Sequence, residues 1–504
     1  MKRYIPYLYG ALMMASLAPL KTSAQWIHTY GTESNLQVLH TQEIKDDGVT
    51  LSFPTTPDGI HESVCVQTGQ TSEGQSLPIS DIHHIQVGTN IPTIYMTMDD
   101  PVIADKVTEH PAIFSFDGQS AYPSIEEMEV SARGRGNSTM ALSKKPMRLK
   151  FGSKVSIAGL KKAKSYTLLA NFLDETLSKN AIAMRLGQLL ELPFTHHMIP
   201  VNVVVNGESW GQYNLTEKRS ISGASVDIDE ETGILFELAA KENADEKYFF
   251  ISGPHDLAVM VSDPDFDELY EDAEKEEEGS GITPLERLSQ WEEDFNRLTA
   301  ILYSEDYPQN ADIDELVDIE SLAKWVLAHA VMCNQEPKHP KSCFLYKRSL
   351  SPDEKYHFGP LWDFDWSMGF QPCDSKLASP TNAPWLITTT TYGNNFFLQL
   401  IQSSQFKLKY REVWDDFYTN IYPKMLDYID EYASLIAPSA WQNSLVWNTE
   451  KLEEFYDIDQ FYKIAPTDRL EFKVNEMKDW WRERVEWMNS DPTLGLCPTS
   501  VLTL

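Results

Sequence analysis

The 504-residue sequence is poor in cysteine and in basic charge, and each shortage excludes something. Its five cysteines are Cys65, Cys333, Cys343, Cys373 and Cys497, and no two of them form C-x-x-C. That argues against a zinc knuckle or a thioredoxin-type site. The odd number leaves at least one thiol unpaired within the chain, and spacing does not choose the pairs. Lys and Arg total 42 against 75 Asp and Glu, a formal charge of −33. Such an acidic balance argues against nucleic acid or an anionic membrane as a general partner. G-x-S-x-G, G-x-x-x-x-G-K-[ST] and H-E-x-x-H are all missing, and His196-His197, His329 and His339 lack metal-ligand spacing. There is no internal repeat, no long linker, and no transmembrane-like run after the N-terminal segment.

What is present starts with an export-like N-terminus. Lys2 and Arg3 precede an apolar run from Tyr4 to Leu20, and the small residues Thr22 and Ala24 stand before Gln25. This is the pattern of a cleaved signal peptide over residues 1–24, which predicts a periplasmic, surface or secreted protein with no integral membrane anchor after cleavage. Cleavage would remove Lys2, Arg3 and Lys21 and no acid, deepening the charge to −36. Hydrophobic residues at 42% and aromatics at 11% are enough for a real core.

Short strands separated by Gly, Pro, Asp and Asn ("SNLQVLH", "GVTLSF", "ESVCVQT") predict a small β appendage over residues 25–90. Strand patterns dominate to about residue 170. "DETLSKNAIAMRLGQLLELP" then reads as a helix with Asp174 as its N-cap. "PVNVVVNGESWGQYNLTEK" reads as two strands about an Asn206-Gly207 turn, and "GILFEL" as another strand. Residues 263–279 hold ten acids and one Lys, a solvated segment. Beyond it the pattern is mostly helical, interrupted by a hairpin of "KSCFLYKR" and "YHFGPLWDFDW". The predicted organisation is α+β. The main domain spans 91–490, β-rich over about 91–240 and helical over about 241–490, with a tail at 491–504.

One local absence stands out. From Ser131 to Leu173 there is no acid, yet the window holds Arg133, Arg135, Lys144, Lys145, Arg148, Lys150, Lys154, Lys161, Lys162 and Lys164. In an extended "MRLKF", Arg148 and Lys150 share a face, as do Arg133 and Arg135 in "ARGRG". If the stretches pair, four cations gather on one sheet surface and repel unless an anion neutralises them. Gly134 and Gly136 permit close backbone approach, and a polyphosphate fits. In "GPLWDFDW", alternation sets Asp363 and Asp365 against Trp362, Phe364 and Trp366. Two carboxylates backed by aromatics suit a cation, with Mg²⁺ or Mn²⁺ the natural choice beside phosphate. Glu217 ends an apolar strand face and needs a partner if buried.

The stretches "RGRGNST", "KKPMRLKF", "YTLLANFLDETLSKNAIA", "PVNVVVNGESWGQYNLTEK" and "GPLWDFDWSMG" together resemble the CotH kinase family of secreted, spore-coat-protein-H-like atypical protein kinases. The resemblance implies a distant kinase-like fold of two lobes, β-rich then helical, with ATP and Mg²⁺ or Mn²⁺ between them. It implies Lys150 on the α/β-phosphates with Arg133, Arg135 and Arg148 nearby. It implies Asp174 and Asn180 in the helix motif, Glu217 at the nucleotide pocket, Asp363 as the metal-binding residue and Asp365 as its neighbour. Lys179 stands where many members carry Arg. Many members also place an Asp before the last hairpin, followed by Asn or Ser near the metal. Here the stretch is "NQEPKHPKS", so Glu336 takes the base position and Ser342 the second polar one. The reading is an exported ATP-dependent kinase for Ser or Thr of a protein acceptor. Its rivals are a nucleotide-binding surface or adhesion protein with little or no transfer activity, and a D-x-D glycosyltransferase.

Overall fold

The computed structural model describes residues 27–30, 37–39, 50–52, 63–67, 75–78, 84–87, 91–119, 121–270, 282–338, 340–369, 379–381, 395–447 and 469–496. The expected signal segment, residues 271–279 of the acidic run and residues 497–504 lie outside them. The appendage is two small antiparallel sheets. One has the order β2-β1-β6, from β1 (Ile27–Tyr30), β2 (Gln37–Leu39) and β6 (His84–Val87); the other is β3 (Thr50–Ser52), β4 (Ser63–Gln67) and β5 (Gln75–Pro78).

Seven strands then close into a barrel: β7 (Thr93–Met98), β8 (His110–Asp117), β9 (Ile125–Gly134), β10 (Met147–Val155), β11 (Ala163–Leu169), β12 (Ile199–Val205) and β13 (Glu208–Glu217). The order is β10-β11-β13-β12-β7-β8-β9, antiparallel except between β12 and β7. Alternation decides what fills it. Met147, Leu149 and Phe151 of β10 point inward with Phe114, Tyr166, Val203 and Leu215, while Arg148 and Lys150 stay outside. Closure leaves the barrel no open edge. The turn between β12 and β13 is the expected one: Asn206 and Gly207 both take positive φ, 51° and 81°.

A second sheet, order β15-β16-β14-β17-β18, is built from β14 (Ile234–Ala240), β15 (Phe249–Ser252), β16 (Leu257–Asp263), β17 (Cys343–Lys347) and β18 (His357–Phe358). Strand β14 is the expected "GILFEL" strand and β17–β18 the expected hairpin, joined by two strands inside the region read as mainly helical. Strands β15 and β16 were not foreseen; the Gly253 and Asp256 turn between two apolar runs, with φ of 70° and 54°, is their signal. The molecule is α+β, β-rich first and helical later. Besides α1 (Lys179–Leu189), which links β11 to β12, the main helices are α2 (Pro284–Leu302), α3 (Ile319–Met332), α4 (Asn395–Leu400), α5 (Ser404–Asp416), α6 (Tyr422–Val446) and α7 (Arg469–Ser490). Helix α2 starts with Pro284 and a reciprocal Thr283–Glu286 capping box, as its sequence dictates.

The two faces of the second sheet do different work. Ile234, Phe236 and Leu238 of β14 and Cys343 and Leu345 of β17 enter the main core with Trp291, Phe295 and Trp325. Leu235, Phe344 and Tyr346 alternate to the other face, where they meet Ile221, Val226 and Trp362. Cys333 and Cys343 are buried.

Helix α6 roofs the outside of β13, which explains why that strand is buried on both faces. Tyr432 Oη donates to Asn214 Oδ1 at 3.0 Å and Trp447 Nε1 to the Trp210 carbonyl at 2.7 Å. Lys144 pins the junction. Its Nζ donates to the carbonyls of Ala170, at 2.8 Å, and Gln212, and to Asn443 Oδ1 at 2.8 Å, and it lies 4.4 Å over the Tyr213 ring. Burial pulls its pKa well below the usual lysine range. Lys144 thus has a structural role within the basic window. Lys144→Met takes the lysine donor away from the buried carbonyls of Ala170 and Gln212 and is expected to cost about 2–4 kcal/mol. Asn443→Ala combined with it should be less than additive in a double-mutant cycle read by urea unfolding; full additivity would separate the two residues.

Candidate active site

The site forms where the end of the barrel meets the outer face of the second sheet. Strand β9 ends at Gly134, and Arg135 then leaves the barrel surface. Its amide donates to the Pro146 carbonyl at 3.2 Å, and its guanidinium lies 5.3 Å over the Trp362 ring. Arg219, just past β13, lies 5.5 Å over the same indole and 3.7 Å over Phe344. One aromatic pair therefore supports two guanidinium groups. Burial pulls Arg135 down to about 10, with neighbouring Arg219 adding to the drop and Asp363, Glu237 and Asp365 opposing it. It stays charged at neutral pH.

The carboxylates face these cations. The expectation that an extended backbone aligns Asp363 with Asp365 is corrected: β18 ends at Phe358, and Asp363 takes a left-handed φ of 62°. A positive φ at a non-glycine residue is a strained conformation that its surroundings must enforce. Asn334 and Asn180 supply that frame. Asn334 Nδ2 donates to the Asp363 carbonyl at 3.0 Å, and Asn180 Oδ1 accepts from the Phe364 amide at 2.9 Å. Asn180 Nδ2 also donates to Asp365 Oδ1 at 2.7 Å, and Ser342 Oγ to Asp363 Oδ2 at 3.4 Å. Trp362 and Phe364 are buried.

Two further carboxyls close the ring. Glu336 is buried in a short turn, its amide donating to Asn334 Oδ1 at 3.3 Å. Glu237 of β14 accepts from the Ser342 amide at 3.0 Å and stands 3.7 Å from Arg219 and 3.4 Å from Lys341. Burial, Asp363, Glu237 and Asp365 hold Glu336 well above the usual carboxyl range. Burial raises Asp363 against the pull of Arg135. Burial, Asp363 and Asp174 push Asp365 to about 8. Among the described residues no group of three or more His, Cys, Asp or Glu side chains is arranged to hold a metal. A pair of carboxyls raised by burial and by each other is still a donor set that gains from a hard divalent cation, one that takes its remaining oxygens from phosphate or water.

The other expected residues fall into separate groups. Arg133 and Arg148 are register partners on the outer face of the barrel, with Arg133 3.6 Å from Glu109 and Arg148 donating to Ser165 Oγ at 3.2 Å. Lys150 is exposed on that face. Arg133 and Arg135, expected on one face, are parted because the strand stops between them. Asp174 is not the N-cap: Leu177 takes φ 53° and the helix begins at Lys179. Its carboxylate instead accepts from the amides of Thr176, Ser178 and Lys179, stapling the turn that presents Asn180. Glu217 accepts from the His197 amide at 3.0 Å and pairs with His197 Nδ1 at 2.7 Å. Burial would raise Glu217, but His197 holds it below the usual value. It lines a cavity of about 490 Å³ with Leu160, Leu192, Phe194, His196 and Ser225. The His196 ring meets Trp362 at 5.4 Å, joining cavity and site through one indole.

Sequence reasoning missed Glu237, Arg219 and Asn334. Glu237 is the lone acid inside the apolar run "GILFEL", and that placement is the signal available.

Residues 132–488, over two-thirds of the chain, match the family described as CotH kinase protein. The chain belongs to the CotH kinase family. Among curated proteins, none matches it in sequence.

Raised carboxyls make a pH prediction. A folded-state pKa near 8 against an unfolded value near 4 means the folded state holds an extra proton between them. Stability is then lost as pH rises across that window. Asp365→Asn removes the loss. In chelator, its melting temperature should exceed wild type at pH 8.5 and converge with it near pH 4.5; a pH-independent difference contradicts the assignment.

Proposed function

We propose that this chain is an exported phosphotransferase that carries the γ-phosphoryl group of ATP to a Ser or Thr hydroxyl of a protein acceptor, on a distant kinase-like fold of two lobes. The carrying observation is that Arg135, from the acid-free window, is an electrostatic neighbour of the half-buried Asp363 and Asp365 from a remote part of the chain. Family membership points the same way.

In this reading the nucleotide base enters the cavity beside Glu217, whose volume of about 490 Å³ lies within the range of small-ligand pockets. Arg135 faces the phosphates beside the carboxylates, and Arg133, Arg148 and Lys150 extend the cationic surface beyond them. Asp363 and Asp365 would hold Mg²⁺ or Mn²⁺, which when bound neutralises phosphate charge. Ser342 fixes the Asp363 carboxylate. Glu336 accepts the proton of the attacking hydroxyl as the new O–P bond forms and ADP departs with the electrons of the broken bond. Burial and its carboxyl neighbours raise Glu336 above the usual carboxyl range, which makes it a stronger base once ionised. Glu336 also motivates the second reading: the longer side chain in the base position suits a nucleotide-binding protein of low transfer activity.

Incubation with radiolabelled ATP, Mn²⁺ and extracellular protein extract should label an acceptor. Asp363→Ala should abolish the label, and Glu336→Gln should lower it at least about hundredfold with ATP binding kept. Unchanged incorporation in Asp363→Ala sinks the proposal. Tight ATP binding by calorimetry with no transfer selects the second reading, and a thermal shift with sugar nucleotides in place of ATP selects a glycosyltransferase.

A further inference from the structure

The cations of the acid-free window outnumber those near the carboxylates, and the structure sorts them. Lys144 is buried, Arg135 joins the site, and Lys145 Nζ donates to the Met140 carbonyl. The rest line the hairpin β10–β11 and, at Arg133, the adjoining strand β9. On its outer face Arg148 pairs in register with Arg133, and Lys150 follows two residues on. Val155 pairs with Ala163, which puts Lys154 and Lys164 on neighbouring rungs. Lys150, Lys154, Lys161, Lys162 and Lys164 are exposed. Acids flank this lane without interrupting it: Glu109 lies 3.6 Å from Arg133, Asp227 lies 3.6 Å from Lys161, and the exposed Glu127 and Glu129 continue the outer face of β9 beside it.

We propose that this hairpin is a docking lane for an acidic stretch of peptide in the acceptor. The inference rests on the phosphotransferase reading and names the substrate class for it. Like charges on neighbouring rungs of an antiparallel pair destabilise it, and this chain keeps several there although acids abound elsewhere. From Arg148 to Lys154 the strand runs about 20 Å at roughly 3.3 Å per residue. One triphosphate held at Arg135 does not reach its far end. At the near end the lane runs on toward the site: Arg148 and Arg133 are electrostatic neighbours of Lys218, and Lys218 of Arg219. An extended peptide lying along β10 therefore leads to the carboxylates around Asp363. A short acidic peptide fits better than a nucleic acid or an anionic bilayer, because a long or flat polyanion would also meet the remaining surface of a chain of charge −33.

The test reads binding without catalysis. A short fluorescent peptide of Asp and Glu around a central Ala is titrated into the full chain by anisotropy, beside a Lys-containing counterpart. The acidic peptide should bind at least about tenfold tighter, and the preference should fade as salt rises from about 0.05 to about 0.5 M. Lys154→Glu/Lys164→Glu should abolish the preference while the ATP thermal shift stays unchanged. The milder Lys154→Ala/Lys164→Ala should weaken it with an unaltered melting temperature. Equal binding of the two peptides, tighter binding to heparin fragments or anionic vesicles, or loss of the ATP shift in the Lys154 and Lys164 variants would overturn the lane. A chain that binds the acidic peptide yet transfers no label keeps the lane and loses the phosphotransferase reading.

Discussion

Four carboxyl groups held in a largely desolvated junction are the constraint on which this structure turns. Glu237, Glu336, Asp363 and Asp365 repel one another where water screens little. Left alone, such a cluster would open or take up protons. The fold answers with cations from separate places: Arg135 from the end of the barrel, Arg219 from the exit of β13, and Lys341 from the loop before β17. Each arrives on an element fixed by its own packing. Opposite charges thus hold the barrel against the sheet.

The hydrophobic pattern explains how so polar a junction coexists with a large core. Strands β14 and β17 give alternate residues to each face, so Phe236 and Leu345 enter the main core. Glu237 and Phe344 come to the site side by the same alternation. The charged residues therefore do not interrupt the core; they use the sheet's other surface. Trp362 then acts as a shared wall, under two guanidinium groups and against His196. Substituting that indole would remove cation–π support from both arginines at once, which ties the placing of two guanidinium groups to the packing of one side chain.

The sequence was most legible where period and chemistry agreed. "MRLKF" alternates, and its apolar face fills the barrel. Helices α2 and α3 carry caps and patterns that match their observed spans. "GPLWDFDW" pointed to two carboxylates that do lie at the junction, for a partly wrong geometric reason. The extended reading fails because Asp363 is turned into the left-handed region by hydrogen bonds from Asn180 and Asn334, far from it in sequence. Asp174 shows the same limit: its side chain serves a turn that only Leu177's positive φ creates. Glu237 and Arg219 sit in ordinary strand surroundings, and nothing local says that their faces meet. Tertiary contacts decided these positions, and no periodicity carries that information.

The acid-free window also shows why a charge run is a poor unit of interpretation. Its lysines and arginines look alike in the sequence, yet Lys144 spends its charge on backbone carbonyls, Arg135 on carboxylates and Lys154 on solvent. What they share is intolerance of a nearby acid. A carboxylate beside Lys144 would have to be buried with it. One beside Arg135 would compete with Asp363 for the guanidinium, and one beside Lys154 would cancel the lane's field. Three separate penalties, added along one hairpin and its flanks, clear the same stretch of acids without any single ligand having to touch all of it.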